Sequence, residues 1–449
     1  MKGSSLVVIC ATLILALSVF SSQAILSPAV CPVYLTVSSY SISVEDSHII
    51  INFGPGCVEF PDWVGIYRQN PSISNEPPLA YVKTSRNISR QFQTDVKFGN
   101  LQFPWGWEEE SALKNPPKRG RGICLNLFVA SYKNNQLLTL DCLKIQPAWM
   151  SLEKQFADVP FRQFFIPGTH CAACHVTKSN LKNGLLKKIG FLQNFNIWQQ
   201  MVFGVRYFDF SIGFQSNSTA GKEFWIMNGN LKITPLLNVL RTIRKFVILS
   251  HEPIFMDFYE FPLGFYNHPE RHKKLIKLVI QELSDVLYTK NAQNNYLNSY
   301  DLTLEMMKRK TLLLMYNDLE MLKEYKEIWP SWRRHSSEYL KISELSEFMK
   351  NLFSKKSKDS PNGIGWVFSA VQGYQTSYQS NEKMKEPGER AAEINAKVIP
   401  MLGGPWSWGA NVVSLDYFMS TNLVDIAIHT NQNKIINLRQ NNNMTVVEI

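Results

Sequence analysis

From residue 25 to about 145 the apolar residues come in short runs broken by Gly, Pro, Asn and Asp. Tyr34–Val37, Ser41–Val44, His48–Phe53 and Trp63–Arg68 are β-branched or aromatic stretches of strand length. Cys124–Ala130 and Leu137–Leu143 flank a Lys133-Asn134-Asn135 turn and read as a hairpin. Such spacing predicts an all-β sandwich for 25–145. In Pro61-Asp62-Trp63-Val64-Gly65-Ile66-Tyr67, the aromatics Trp63 and Tyr67 read as core residues. The stretch Pro104–Arg121, rich in Pro, Trp and charge, reads as an exposed loop, and Gln146–Met150 as a linker.

From 146 the pattern becomes strands alternating with helices. Strands are expected at Phe161–Ile166, Gly204–Ile212, Glu223–Met227, Ile254–Phe258, Lys310–Tyr316, Trp366–Ala370 and Asn411–Asp416. Helices are expected at Leu192–Met201, Leu236–Lys245 and Leu304–Lys308. Another covers Glu270–Leu287, where Leu275, Leu278, Val279, Leu283 and Val286 form one stripe. This alternation predicts an α/β fold, a distorted TIM-like barrel over 146–435 behind the sandwich, with 436–449 as a C-terminal tail.

The 449 residues are 45% hydrophobic and 19% charged, enough for two cores, and carry a net charge of +10. The charge favours anionic surfaces such as acidic lipid or glycan. No basic segment suggests a nucleic-acid partner. Residues 1–24 read as a secretory signal peptide, with Lys2, an apolar run from Leu6 to Phe20, and Ser22-Gln23-Ala24. No other apolar run is long enough for a transmembrane helix. The expectation is a secreted, extracellular glycoprotein, with sequons at Asn87, Asn217 and Asn443. Outside the signal there are six cysteines, an even number that suits disulfides. The hairpin sets Cys124 nearly opposite Cys142, and Cys31 with Cys57 follows by elimination. Cys171-Ala172-Ala173-Cys174-His175 reads as a short local disulfide that stiffens its loop. The same letters also spell a haem-attachment motif, a thioredoxin-like redox pair or a Cys–His nucleophile.

At Ile166-Pro167-Gly168-Thr169-His170 an apolar run reaches a Pro-Gly turn and then a histidine. Barrels keep their chemistry in such loops, at the C-terminal ends of strands. The wording resembles the opening strand of the X domain of phosphatidylinositol-specific phospholipases C (PI-PLC). Four later segments resemble that family in the same order. They are Phe203–Ile212, Phe224–Asn230, Asp257–Phe265 and Asn411–Phe418. The chain is therefore identified as similar to PI-PLC X domains, and among them to the secreted, insect-type members.

The resemblance implies phosphodiester cleavage by attack of the inositol 2-hydroxyl on phosphorus. One histidine acts as base and a second as acid, with an arginine or Ca²⁺ stabilising charge. His170 stands where the base belongs. Cys171 stands where the family has Asp or Asn, Ser211 where it has Arg or a Ca²⁺-binding Asp, and Asn228 where it has the second histidine. Neither Asn nor Ser titrates near neutrality. Arg206, Asp209, Asp257 and Asp416 are candidates for substrate binding, with no metal ligand and no cofactor expected. His175, His251 or His429 could substitute as acid. The resulting expectation is a phosphoric diester hydrolase fold with a degenerate catalytic set, binding phosphatidylinositol or another anionic lipid headgroup at a membrane surface. The alternatives are an active hydrolase that uses His170, and a scaffold without a small ligand.

Overall fold

The computed structural model describes residues 31–445, apart from 42, 55–59, 85–89, 177–183, 185–188, 217–221, 292–293, 355–364 and 372–384. The signal segment, Cys57, Asn87 and Asn217 lie outside the described residues.

The N-terminal part holds β1 (Val33–Val37), β2 (His48–Phe53), β3 (Trp63–Tyr67), β4 (Ala80–Lys83), β5 (Gln91–Lys97), β6 (Ile123–Lys133) and β7 (Gln136–Ile145). They form two antiparallel sheets, ordered β1-β2-β5 and β4-β3-β6-β7. Alternate residues point inward, as a half-buried pleat requires. Ile49 and Ile51 from one sheet share a core with Val64, Ile66, Leu125 and Leu127 from the other. The β6–β7 turn places Asn134 and Asn135 at positive φ, which Asn tolerates. The Cys124–Cys142 disulfide crosses this hairpin. Cys31 is also disulfide-bonded.

Of Ser41–Val44, expected as a strand, the described residues form no strand, and Ser43 and Val44 lie in a bend and turn. Ser41 and Ser43 bond to neighbouring backbone and to Glu45, which competes with ladder pairing. The expected loop 104–121 is exposed along much of its length but is anchored into the core. Trp107 is fully buried, tilts against Trp198 and Phe246, and accepts a bond from the Trp198 indole on its carbonyl at 2.8 Å. The expected linker 146–150 is buried too. One continuous apolar core therefore runs from the sandwich into the second half.

The second half contains β8 (Ile166–Thr169), β9 (Tyr207–Phe214), β10 (Phe224–Asn228), β11 (Leu231–Pro235), β12 (Ile254–Leu263), β13 (Leu312–Tyr316), β14 (Trp329–Pro330), β15 (Arg333–Ser336), β16 (Trp366–Ala370) and β17 (Val412–Leu415). Its helices are α1 (Ile197–Phe203), α2 (Leu236–Ser250), α3 (Pro269–Leu283), α4 (Leu304–Met307), α5 (Leu319–Glu324), α6 (Ile342–Ser354), α7 (Pro387–Leu402) and α8 (Leu423–Thr445). Asn443 falls in the last turns of α8.

The strands run in the order β14-β13-β12-β9-β8-β17-β16-β15, and all these neighbours pair in parallel. The β10–β11 hairpin is attached antiparallel to β9. The two outermost strands, β14 and β15, are joined by Ser331 and Trp332 alone, so the curled sheet nearly meets itself. This is a distorted, incompletely closed α/β barrel.

Two details correct the sequence reading. Phe161–Gln163 is a 3-10 turn, and the strand begins at Ile166. Pro167 and Gly168 lie inside β8, not in a turn after it. A Cβ on Gly168 would meet Tyr207 at 3.0 Å and Ser414 at 3.2 Å, so glycine lets β9 and β17 close in on β8. Between β8 and β9, α1 opens with a reciprocal Asn196–Gln199 capping box and ends at Gly204 (φ 110), which turns the chain into the next strand. Among the described residues no helix is long and apolar enough to cross a membrane.

Candidate functional site

Parallel strands carry every second side chain into the barrel. Several of these side chains are polar and converge on one another: Asp209 on β9, Asp257 on β12, Arg334 on β15, Ser369 on β16 and Ser414 on β17. His170 and Asp416 follow directly on the neighbouring strands β8 and β17, whose register pairs Thr169 with Leu415. That pairing sets them side by side, and His170 Nδ1 lies 2.8 Å from Asp416 Oδ1. Both are partly open to solvent.

Beneath this pair lies a satisfied ionic cluster. Asp209 is fully buried. Its Oδ1 accepts the Cys171 backbone N–H at 2.7 Å, and its Oδ2 accepts Arg334 Nη1 at 2.8 Å. Arg334 Nη1 also donates to Ser369 Oγ at 2.7 Å, and Nη2 donates to the Tyr207 hydroxyl at 3.0 Å. The guanidinium lies 3.8 Å from the centre of the Tyr259 ring. Asp257 accepts from Tyr207 at 2.6 Å and from Ser331 at 2.5 Å.

Charge and burial oppose each other at His170. Burial disfavours its imidazolium. The Asp416 and Asp209 carboxylates, with the Asp416 hydrogen bond, outweigh both burial and the Arg334 charge, and the pKa rises to about 9. At neutral pH His170 is therefore a cation. It can donate a proton or bind an anion, but it cannot accept a proton until the pH approaches 9. Burial raises the Asp257 pKa against the lowering pull of Arg334, Ser331 and Tyr207.

The three substituted positions are each occupied by something else. Cys171 is closed into a disulfide with Cys174, which rules out a free thiol nucleophile there. The bond ties down the loop that carries His170, and Cys171 takes φ 40. Ser211 donates to Glu260 Oε2 at 2.8 Å, so a carboxylate borne by β12 sits beside the position where the resemblance implies an arginine or a Ca²⁺-binding aspartate. Asn228 donates to the carbonyls of Ile189 and Gly190, at 3.0 and 3.4 Å.

Arg206, expected to bind substrate, is not at the site. It precedes β9 at the N-terminal end of the barrel, is fully buried, and pairs with Glu252 at 2.7 Å. His251 caps the C-terminus of α2 at that same end, three residues before β12. His429 lies on α8 beside Asn433. His175 is held neutral by burial, with its pKa near 4, and its Nδ1 has no partner. A neutral imidazole is a weak acid, and His251 and His429 lie away from the His170–Asp416 pair. The structure does bring together His170, Asp209, Asp257 and Asp416. It adds Arg334, Tyr207 and Tyr259, which the sequence reading missed. Among the described residues no cluster of His, Cys, Asp and Glu has the arrangement of a metal site.

No family model matches the chain. Over 243 residues it is 24% identical to mouse PI-PLC X domain-containing protein 2, covering 50% of this chain and 68% of that protein. The chain is thus similar in sequence to a PI-PLC X-domain protein. Among solved structures, a PI-PLC from S. aureus overlaps with TM-score 0.47 and 16% identity, covering 63% of this chain and 97% of its own. A calcium-dependent phosphoinositol-specific phospholipase C from Pseudomonas sp overlaps with TM-score 0.31 and 11% identity, covering 61% and 95%. The parallel strand order, not these overlaps, establishes the distorted TIM-like barrel here.

Proposed function

We propose that this chain is a secreted PI-PLC X-family protein that has lost turnover and keeps a headgroup-binding mouth. The carrying observation is the asymmetry of the site. The His170–Asp416 pair is intact, with a protonated His170 held against the Asp416 carboxylate, while the position expected to supply the second acid is an asparagine committed to two backbone carbonyls. Loss of a general acid typically costs on the order of 10²–10⁴ in rate, and loss of a charge-stabilising group about 10²–10³. What remains suits recognition of a phosphorylated polyol. His170 would meet the phosphate, and the Asp209–Arg334–Asp257 cluster would meet hydroxyl groups. The rim supports contact with a lipid surface. Leu263, Tyr266, Leu319 and Tyr339 are exposed and lie at or just beyond the C-terminal ends of β12, β13 and β15. The disulfides support an oxidising compartment and hence secretion.

The test measures both sedimentation with vesicles and release of soluble inositol phosphate. Phosphatidylinositol vesicles are compared with phosphatidylcholine vesicles, with and without Ca²⁺. The expected result is preferential binding to phosphatidylinositol that His170→Ala weakens, with no product released. A reversion carrying Cys171→Asp, Cys174→Ala, Ser211→Arg and Asn228→His should restore measurable turnover. The Cys174 change is included to avoid an unpaired thiol. Turnover by the wild type that His170→Ala abolishes would sink the degenerate-enzyme reading. Equal binding to both vesicles would sink the headgroup reading and favour a scaffold.

A further inference from the structure

We propose that the cleft between the N-terminal sheets and the barrel is a second ligand site, for a small, mostly apolar molecule bearing hydroxyl or N–H donors. The cleft has a volume of about 450 Å³, within the range of about 300–1,000 Å³ usual for small-molecule sites. Ile50 and Phe53 of β2 form one wall, and Ile399 of α7 with Ile426 of α8 form the other. Such walls favour an apolar body over a hydrated ion.

The polar groups are more selective. Asn395 and Asn422 both line the cleft, and the Oδ1 of each is buried without a hydrogen-bond partner. Asn395 is only 3% exposed. Its orientation is fixed, because Nδ2 donates to the Asp416 carbonyl at 3.0 Å and to Ser420 Oγ at 2.9 Å. Turning the amide over would set Oδ1 against that carbonyl, so Oδ1 stays an acceptor. Two buried acceptors without donors carry a standing cost that a ligand donor relieves and an acceptor-only ligand does not. The site also stands directly behind the chemistry. Asn395 grips the main chain of Asp416, whose carboxylate holds His170. A ligand on Asn395 is therefore one side chain from the His170–Asp416 pair. The inference does not depend on whether the mouth binds lipid or turns it over.

The test uses the full chain and two isomeric probes, 1-octanol and heptyl methyl ether. They match in atoms and differ in the hydroxyl donor. Binding is followed by saturation-transfer NMR and calorimetry. The expected result is saturable binding of octanol, about tenfold tighter than the ether, as one satisfied buried acceptor implies. Ala396→Trp places a large ring in the cleft from an exposed position on α7. It should abolish binding of both probes with thermal unfolding unchanged. Ala392→Phe, on the same helix, serves if the first variant does not fold. No saturable octanol binding, equal affinity for the ether, or binding that survives a well-folded filled cleft each overturns the proposal. The first of these results would assign the cleft to water.

Discussion

Two buried arginines at opposite ends of the barrel show how similar ion pairs do different work. Arg206 sits just before β9, fully enclosed. Besides Glu252, its partners are the main-chain carbonyls of Met201 and Val205, both at 2.8 Å, and of Gln146 at 2.9 Å. Its guanidinium also faces the rings of Trp149 and Phe246. Glu252 in turn accepts the backbone N–H groups of Met150 and Ser151, at 3.1 and 2.6 Å. These contacts clamp the sandwich-to-barrel junction and leave nothing for a ligand. Arg334 is bound almost wholly by side chains, namely Asp209, Ser369, Tyr207 and the Tyr259 ring, and 17% of its side chain is exposed. Side-chain partners can be exchanged for ligand oxygens, whereas main-chain carbonyls in a packed junction cannot. Burial of a charge is common to both arginines, so partner type separates scaffold from site.

The largest effect should follow from breaking the junction. Glu252→Ala leaves the Arg206 charge buried and uncompensated, with an expected loss of about 3–5 kcal/mol in urea denaturation. Vesicle binding by the fraction that folds should be unchanged. A loss below about 1 kcal/mol would mean that the main-chain carbonyls alone hold Arg206. A smaller stability effect, but a complete binding effect, is expected for Arg334→Lys. An ammonium cannot hold Asp209, Ser369 and Tyr207 together as a planar fork does. The expected cost is about 1–3 kcal/mol, softened by water at the mouth, with phosphatidylinositol binding lost. Retained binding would remove Arg334 from the site and leave His170 as its cation.

The same contrast explains what the sequence did and did not disclose. Trp366–Ala370 is apolar apart from Ser369, and it is the strand β16. Such strands are legible because burial on both faces selects one kind of residue. The adjacent β15 reads Arg333-Arg334-His335-Ser336 and carries no apolar signal. It pairs with β16 alone at the seam of the barrel, and its inward arginine is satisfied by acids that lie far away in sequence. Asp209 and Asp257 were legible as candidates, but not as the partners of Arg334, because that relation exists only once the sheet curls. Arg206 was misplaced for the opposite reason. It lies in the right motif, three residues before Asp209, yet at the wrong end of the strand. His170 was found because it follows an apolar run in a segment that resembles the family's opening strand, and Asp416 because it falls in the segment that resembles the family's last strand. The raised basicity of His170 was not foreseeable, since it depends on two carboxylates closing on one ring.

That raised basicity is the most delicate point of the comparison, because it decides whether the mouth presents a cation at all. Folding lifts the His170 pKa from 6.5 to about 9, against the cost of burial, through Asp416 and Asp209. A group held more basic in the folded state contributes its full stabilisation below the unfolded value, near pH 6.5. It loses that contribution as the pH rises through about 9. The stability advantage of the wild type over His170→Gln should therefore be greatest near pH 6 and shrink by about 1–3 kcal/mol toward pH 10. Asp416→Asn should flatten the dependence. Affinity for phosphatidylinositol vesicles should fall over the same rise in pH, because the phosphate loses its cationic partner. The direct measurement is an NMR titration of the His170 ring. A midpoint at or below 6.5 would mean that burial outweighs the carboxylates. His170 would then be a free base at neutral pH, and a working hydrolase would again be the better reading of the site.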